Sequence, residues 1–242
     1  MSESVLILGA GLPDGVGGAL ARRFAREGLH VVVSGRTPEK VEQTAADIRS
    51  RGQDAVALKV DVTDEAEVDK AFAYLADRGE PVASVIYNAG NNAIIPFEEL
   101  TPEQFESFWR LGPYGGFLVA RRAMPLLAAQ GSGSMLFTGA SASVRGKPLF
   151  AHFASAKAGL RNLAQALARE YGPRGVHVAH VVIDGGINGD RLKSYLPEWL
   201  ESLGEDGTLD PDAIADSFWH LHSQPRSAWT HELDLRPFKE NW

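Results

Sequence analysis

The chain has 242 residues, no cysteine and a formal net charge of −7 at pH 7. Its Lys and Arg are scattered, which argues against a nucleic-acid or anionic-membrane surface, and without cysteine there is no disulfide, thiolate nucleophile or thiolate metal site. No apolar run approaches the ~18 residues of a membrane span, and Met1-Ser2-Glu3-Ser4 leave no room for a signal core, so a cytoplasmic, single-domain protein over 1–242 is expected.

Val5-Leu6-Ile7-Leu8 is an unbroken leucine and β-branched run, too short for a helix, and reads as a buried parallel strand. Gly9, Gly11, Gly15, Gly17 and Gly18 follow, then a helix rich in Ala and Arg. Strand, glycine loop and helix in that order make a cradle for a dinucleotide phosphate. Small residues let backbone N–H groups approach, and free N–H groups at a helix start carry partial positive charge. Gly11, Gly15 and Gly17 fit G-x-x-x-G-x-G, with Asp14 and Val16 inside the same loop.

His30 to Arg36 reads as a second strand, and Thr37-Pro38 starts a helix with a capping hydroxyl and proline at the first helical position. Ala55 to Val60 is a third strand, followed by Asp64 and Glu67 as a capping box. Val82 to Tyr87 is a fourth. Thr101-Pro102-Glu103-Gln104 opens a long helix, which Pro113 should kink because it lacks an N–H. Ser134 to Thr138 is a fifth strand, Phe150 to Tyr171 a helix, Val176 to Ile183 a sixth strand, and Asp210-Pro211 caps a last helix before a short strand within Trp229 to Leu235. Strand and helix alternate throughout. This predicts an α/β fold, a doubly wound Rossmann domain whose parallel sheet of about seven strands carries helices on both faces and binds ligands at the carboxyl ends of its strands. The long segment 185–209, with its Gly, aromatic and charged residues, is expected to be a lid.

This order of motifs resembles the short-chain dehydrogenase/reductase family over nearly the whole chain. Besides the glycine loop, the matches are Asp61-Val62 after the third strand, Asn88-Ala89-Gly90 after the fourth, and Lys157 after the fifth. The resemblance implies a nicotinamide cofactor, with Asp61 near its adenine, Asn88-Ala89-Gly90 against the adenosine side and Lys157 under the nicotinamide ribose. It also implies a small-molecule substrate and a homodimer or homotetramer. A site selecting NAD usually carries a carboxylate at the end of the second strand. Here Gly35-Arg36 stands there, and a guanidinium holds a phosphate with two parallel hydrogen bonds, so NADP(H) is favoured over NAD(H).

The family's chemistry uses a tyrosine four residues before the lysine, a serine that polarises the carbonyl and an asparagine that holds a relay water. In this chain Phe153 takes the tyrosine position, and a phenyl ring cannot donate a proton. The serine position falls on Ala140, with Ser141 one residue away, and the asparagine position falls on Gly112. Asp184-Gly185 replaces the usual Pro-Gly. The chain thus resembles an atypical branch in which Lys157, Ser141 and Phe153 are the catalytic candidates and Gly185 joins the cofactor set. Substitute proton donors are Ser141, Ser143, Tyr114, His152 or a water held by Lys157. The expected function is carbonyl or alcohol redox chemistry with an incomplete catalytic set, or cofactor sensing or scaffolding without turnover.

Other chemistries fit poorly. Gly139-Ala140-Ser141-Ala142-Ser143 lacks the last glycine of a serine-hydrolase elbow. His177 and His180 face opposite sides of a strand, and His220 and His222 stand about 200° apart on a helix, so neither pair chelates a metal. Asp184 is a catalytic carboxylate or a loop cap. Trp199, Trp219, Trp229 and Trp242 either build a subunit interface or finish a monomer's core.

Overall fold

The computed structural model describes residues 3–240; Trp242 lies outside the described residues. Along the chain run β1 (Ser4–Leu8), α1 (Val16–Arg26), β2 (His30–Gly35), α2 (Pro38–Ser50), β3 (Ala55–Lys59), α3 (Glu65–Arg78) and β4 (Val82–Tyr87). Then come α4 (Pro102–Trp109), α5 (Gly115–Gln130), β5 (Ser134–Thr138), α6 (Ala151–Tyr171), β6 (His177–Ile183), α7 (Asp190–Tyr195), α8 (Pro197–Ser202), α9 (Pro211–His222) and β7 (Glu232–Leu235). The strands form one parallel sheet in the order β3-β2-β1-β4-β5-β6-β7.

Helices on both faces explain why β1 is apolar at every position from Val5 on. Val5 and Ile7 enter one core with Leu20, Phe24 and Phe218, whereas Leu6 and Leu8 enter the other with Leu118, Phe137 and Leu160. Each such side chain contributes about 1.5–3 kcal/mol of burial free energy. The chain leaves β1 toward β2 in its first half and crosses to β4 in its second. A crevice therefore opens at the carboxyl ends of β1 and β4, where the winding reverses.

Local signals behaved unevenly. Thr101 and Gln104 form a full capping box, and Asp210 accepts from the Asp212 N–H. Thr37 makes no side-chain cap bond, so proline alone marks the start of α2. Asp64 caps α3, but Glu67 bonds to the Asp61 N–H and Lys59 instead of closing a box. The long helix predicted from Thr101 is interrupted at Arg110–Tyr114 by a π-turn containing Pro113. Segment 185–209, the expected lid, holds two short helices, α7 and α8.

Candidate active site

The ends of β1, β4 and β5 meet in a chain of hydrogen bonds. Asn88, just past β4, donates from Nδ2 to the Gly9 carbonyl at 2.8 Å and accepts at Oδ1 from Thr138 Oγ1 at 2.9 Å. The Thr138 carbonyl in turn receives Lys157 Nζ at 2.8 Å. The glycine loop, the residue that opens Asn88-Ala89-Gly90 and Lys157 are thereby fixed relative to one another. Thr138 is the link that the sequence reading missed.

The glycine loop is built for close backbone approach. Gly9 has φ +88°, and a Cβ there would stand 2.5 Å from the Ala89 nitrogen. A Cβ on Gly17 would enter the Ala10 backbone, and one on Gly18 would enter that of Pro13, so Gly18 belongs with the loop glycines although it lies outside the expected motif. Gly11, at φ +67°, has open space around it, and Gly15 has only the Leu12 carbonyl nearby. Gly15 is the extended cap of α1 with no side-chain bond, so the N–H groups that begin with Val16 are left for a ligand. Asp14 is exposed at the loop tip; a Cβ on Gly189 would lie 3.0 Å from the Asp14 carbonyl, which places the base of segment 185–209 against the loop. Gly185, at φ +148°, turns the chain out of β6 beneath Pro237. A cradle that side chains would fill, beside uncapped amides, fits a dinucleotide diphosphate.

Arg36, just past β2, is exposed and makes no hydrogen bond or ion pair among the described residues. Asp61 faces it electrostatically. Burial works to raise the Asp61 pKa, but hydrogen bonds from the Thr63 N–H and hydroxyl, with the charges of Arg36 and Lys59, outweigh it and hold the carboxyl below its usual value. Val62 is buried beside it.

Lys157 is 7% exposed, and burial pushes its ammonium down to about 8. Its pocket is lined by Gly90, Phe108, Leu111, Gly112, Phe153 and Ala156, among others, and the Phe153 ring centroid lies 5.9 Å from Nζ. Ser141, Ser143, Tyr114 and His152 all lie off this wall. Ser141 opens the turn after β5, and Ser143 Oγ accepts from the Ala140 N–H. Tyr114 stacks on Trp109. His152 is buried against Phe108, and that burial outweighs the pull of the Ala93 backbone to lower its pKa.

The Gly112 position is set by packing, since a Cβ there would meet Ala156 Cβ at 2.9 Å. The π-turn makes that approach, and buried Tyr87 donates its hydroxyl to the Leu111 carbonyl at 2.6 Å. Burial, with a smaller push from Asp61, holds the Tyr87 phenol far above its ordinary pKa, so it stays a donor.

Asp184 is 2% exposed at the end of β6, and Arg145 Nη2 binds both its oxygens at 2.8 and 3.0 Å. It therefore ties the loop after β5 to β6, in keeping with the loop-capping alternative. His180 hydrogen-bonds Glu232, His222 bonds Ser134, and His177 stacks on Trp229 at 4.9 Å. Among the described residues no group of His, Asp and Glu is arranged to hold a metal. No helix of the described residues is long and apolar enough to cross a membrane.

Comparison with known proteins agrees with this fold. A family model described as short chain dehydrogenase matches residues 3–197. The uncharacterized oxidoreductase YuxG of Bacillus subtilis is 32% identical over 221 residues; the match takes in 90% of this chain but only 32% of that longer protein. The crystal structure of a short-chain dehydrogenase from Rhodopseudomonas palustris is 37% identical, with a TM-score of 0.82 over 98% of this chain and 99% of that one. A metagenomic short-chain oxidoreductase solved with NADP shares the fold at a TM-score of 0.82 and 22% identity, over 98% of each chain. The chain belongs to the short-chain dehydrogenase family of oxidoreductases.

Proposed function

We propose that this is an NADP(H)-dependent oxidoreductase of a branch with phenylalanine in place of the catalytic tyrosine, acting on a carbonyl or alcohol substrate with an incomplete catalytic set. The observation that carries the reading is the chain Gly9–Asn88–Thr138–Lys157, which couples a phosphate cradle to a buried cation. We assign the single domain over 1–242 a lid at 185–209 and a homo-oligomeric state.

The nicotinamide, when bound, supplies or accepts the hydride. The amides around Gly11, Gly15 and Val16 receive the diphosphate, and Arg36 holds the 2′-phosphate with parallel hydrogen bonds. Asp61, Val62, Asn88, Ala89 and Gly90 line the adenosine side, with Gly185 at the nicotinamide side. Lys157 holds the nicotinamide ribose and adds positive charge, Ser141 binds the substrate oxygen, and Phe153 is an apolar wall. A missing general acid forfeits about 100- to 10,000-fold, roughly 3–5 kcal/mol, whereas positioning a donor against its acceptor contributes more. Turnover is therefore slow, not abolished.

A second reading, a cofactor-binding sensor or scaffold without turnover, is favoured by the coincidence of Phe153, Ala140 and Gly112 at the three proton-handling positions. Thermal shift with NADPH and NADH tests the shared part, because a ligand that binds only the folded state raises the melting temperature. NADPH should raise it more than NADH, and Arg36→Ala should remove the difference. No response to either nucleotide at millimolar concentration would sink both readings. A carbonyl panel followed by NADPH absorbance then separates enzyme from sensor.

A further inference from the structure

Lys157 is an unusual amine for a folded protein. Its Nζ has one hydrogen-bond acceptor, the Thr138 carbonyl, and no ion pair with any carboxylate of the described residues. Lys59, by contrast, is paired with Glu67 at 2.5 Å. Buried lysines are ordinarily paired, because an isolated ammonium is costly to desolvate. Phe108, Leu111, Phe153 and Ala156 line its pocket together with one polar residue, Asn91, and a Cβ at Gly90 would lie 3.5 Å from Nζ. The amine thus faces a narrow, largely apolar pocket, and no phenol at 153 engages it.

We propose that Lys157 is a carbonyl-capturing amine, condensing with small aldehydes to form an imine at Nζ in the pocket between Gly90 and Phe153. The amine lone pair attacks the carbonyl carbon, and the C=O π pair becomes the hydroxyl of a carbinolamine. That hydroxyl leaves as water while the C=N bond forms, and the two N–H protons of the amine pass through solvent to the departing oxygen, one in forming the hydroxyl and one in releasing water; no oxidant or reductant is consumed. An amine desolvated by an apolar pocket is a recognised way to activate lysine toward carbonyls. The imine is a reversible state of the protein and not a step of hydride transfer, since reducing it would alkylate the lysine permanently. This inference rests on the pocket of Lys157 and is independent of nucleotide binding. The ionisable group that senses this ammonium from the sheet is His180, from β6, which is buried, is pushed down to about 4 and bonds Glu232, so it carries no charge at neutral pH.

The test is reductive trapping on the intact, nucleotide-free protein: limiting formaldehyde with cyanoborohydride, then peptide mass spectrometry of methylated lysines. Exposed Lys40, Lys70 and Lys147 are the internal references. A pKa near 8 against 10.5 leaves about 300-fold more free amine at pH 7, and restricted access offsets part of that. Lys157 is expected to be methylated at least about tenfold faster than the references at pH 7. Its rate should level off above about pH 8, while theirs keep rising. Labelling of Lys157 at or below the reference rate, or a pH profile parallel to theirs, overturns the proposal. Because the protein is unmodified at the start, neither outcome depends on a variant folding.

Discussion

Gly112 and Ala156 are in contact across the π-turn and α6, so closely that a Cβ on the glycine would stand 2.9 Å from the alanine Cβ. The space a side chain at 112 would need is therefore filled by the approach of α6, the helix that carries Lys157. Gly112→Ala or Gly112→Asn must push that helix outward, and overpacking of this kind typically costs about 1–3 kcal/mol. Urea unfolding should show the loss, and Lys157, one residue from Ala156, should lose nucleotide affinity in the same variants. Unchanged stability would mean that the turn yields freely and that the glycine has no packing role.

Phe153→Tyr places a phenol on the wall of the pocket that Lys157 enters. On the proposed function, NADPH-dependent carbonyl turnover should rise by about tenfold to a hundredfold, less than the full range for a general acid, because the positions proposed for the serine and asparagine, Ala140 and Gly112, stay unchanged. Wild-type turnover abolished by Lys157→Ala marks an enzyme with an altered acid. Turnover seen only in the tyrosine variant marks the sensor. Stopped-flow or steady-state NADPH absorbance distinguishes the two.

The scaffold was legible because its strands are unbroken apolar runs bounded by glycine, and both faces of the sheet demand that pattern. Val82–Tyr87 and Ser134–Thr138 match their expected bounds for this reason. Asn88 and Lys157 stand out through short motifs, but Thr138 joins them, by its hydroxyl to Asn88 and by its backbone carbonyl to Lys157, and a backbone acceptor leaves no trace in composition. Arg145 and Asp184 are 39 positions apart, and nothing local announces the pairing. Pro113 announced a break in the helix. It could not announce that Tyr87, 24 positions upstream of Leu111, would satisfy the carbonyl in that break. Ser141 remained ambiguous for another cause: a one-residue shift in a turn reorients a side chain completely, and spacing alone does not fix it.

Arg145→Leu should be among the more destabilising single changes at the site. It leaves the Asp184 carboxylate buried with no cation, and removing one partner of a buried pair costs about 3–5 kcal/mol; the 31% exposure of the Arg145 side chain places the expected loss at or below the lower end, about 2–3 kcal/mol. The double variant Arg145→Leu with Asp184→Asn should recover much of that loss, because the stranded charge is gone. Chemical denaturation of the four-member cycle measures the coupling. Additive losses would show that the pair is energetically independent and that the loop after β5 is held by other contacts.

Acid should loosen the β6, β7 and α9 corner before it affects the rest of the fold. Burial pushes His180 and His222 down to about 4, and it also lowers His177. A histidine whose folded pKa is below its unfolded value of 6.5 takes up its proton more readily when unfolded. Its stabilising share is complete above pH 6.5 and is lost as pH falls from there toward 4. Between pH 7 and 5 the loss is roughly 2 kcal/mol for each of His180 and His222. Carboxylates with lowered values, such as Glu232 held by Arg161 against the effect of burial, lose their share only at lower pH, below about 4.5. Urea midpoints should therefore drop already between pH 6.5 and 5, and His222→Gln should remove its own part of that slope. A midpoint constant down to pH 5 would show that the two imidazoles are protonated without penalty in the folded chain, and that water reaches a corner which the packing of Trp229 on His177 and of Phe24 on Trp219 and His222 closes.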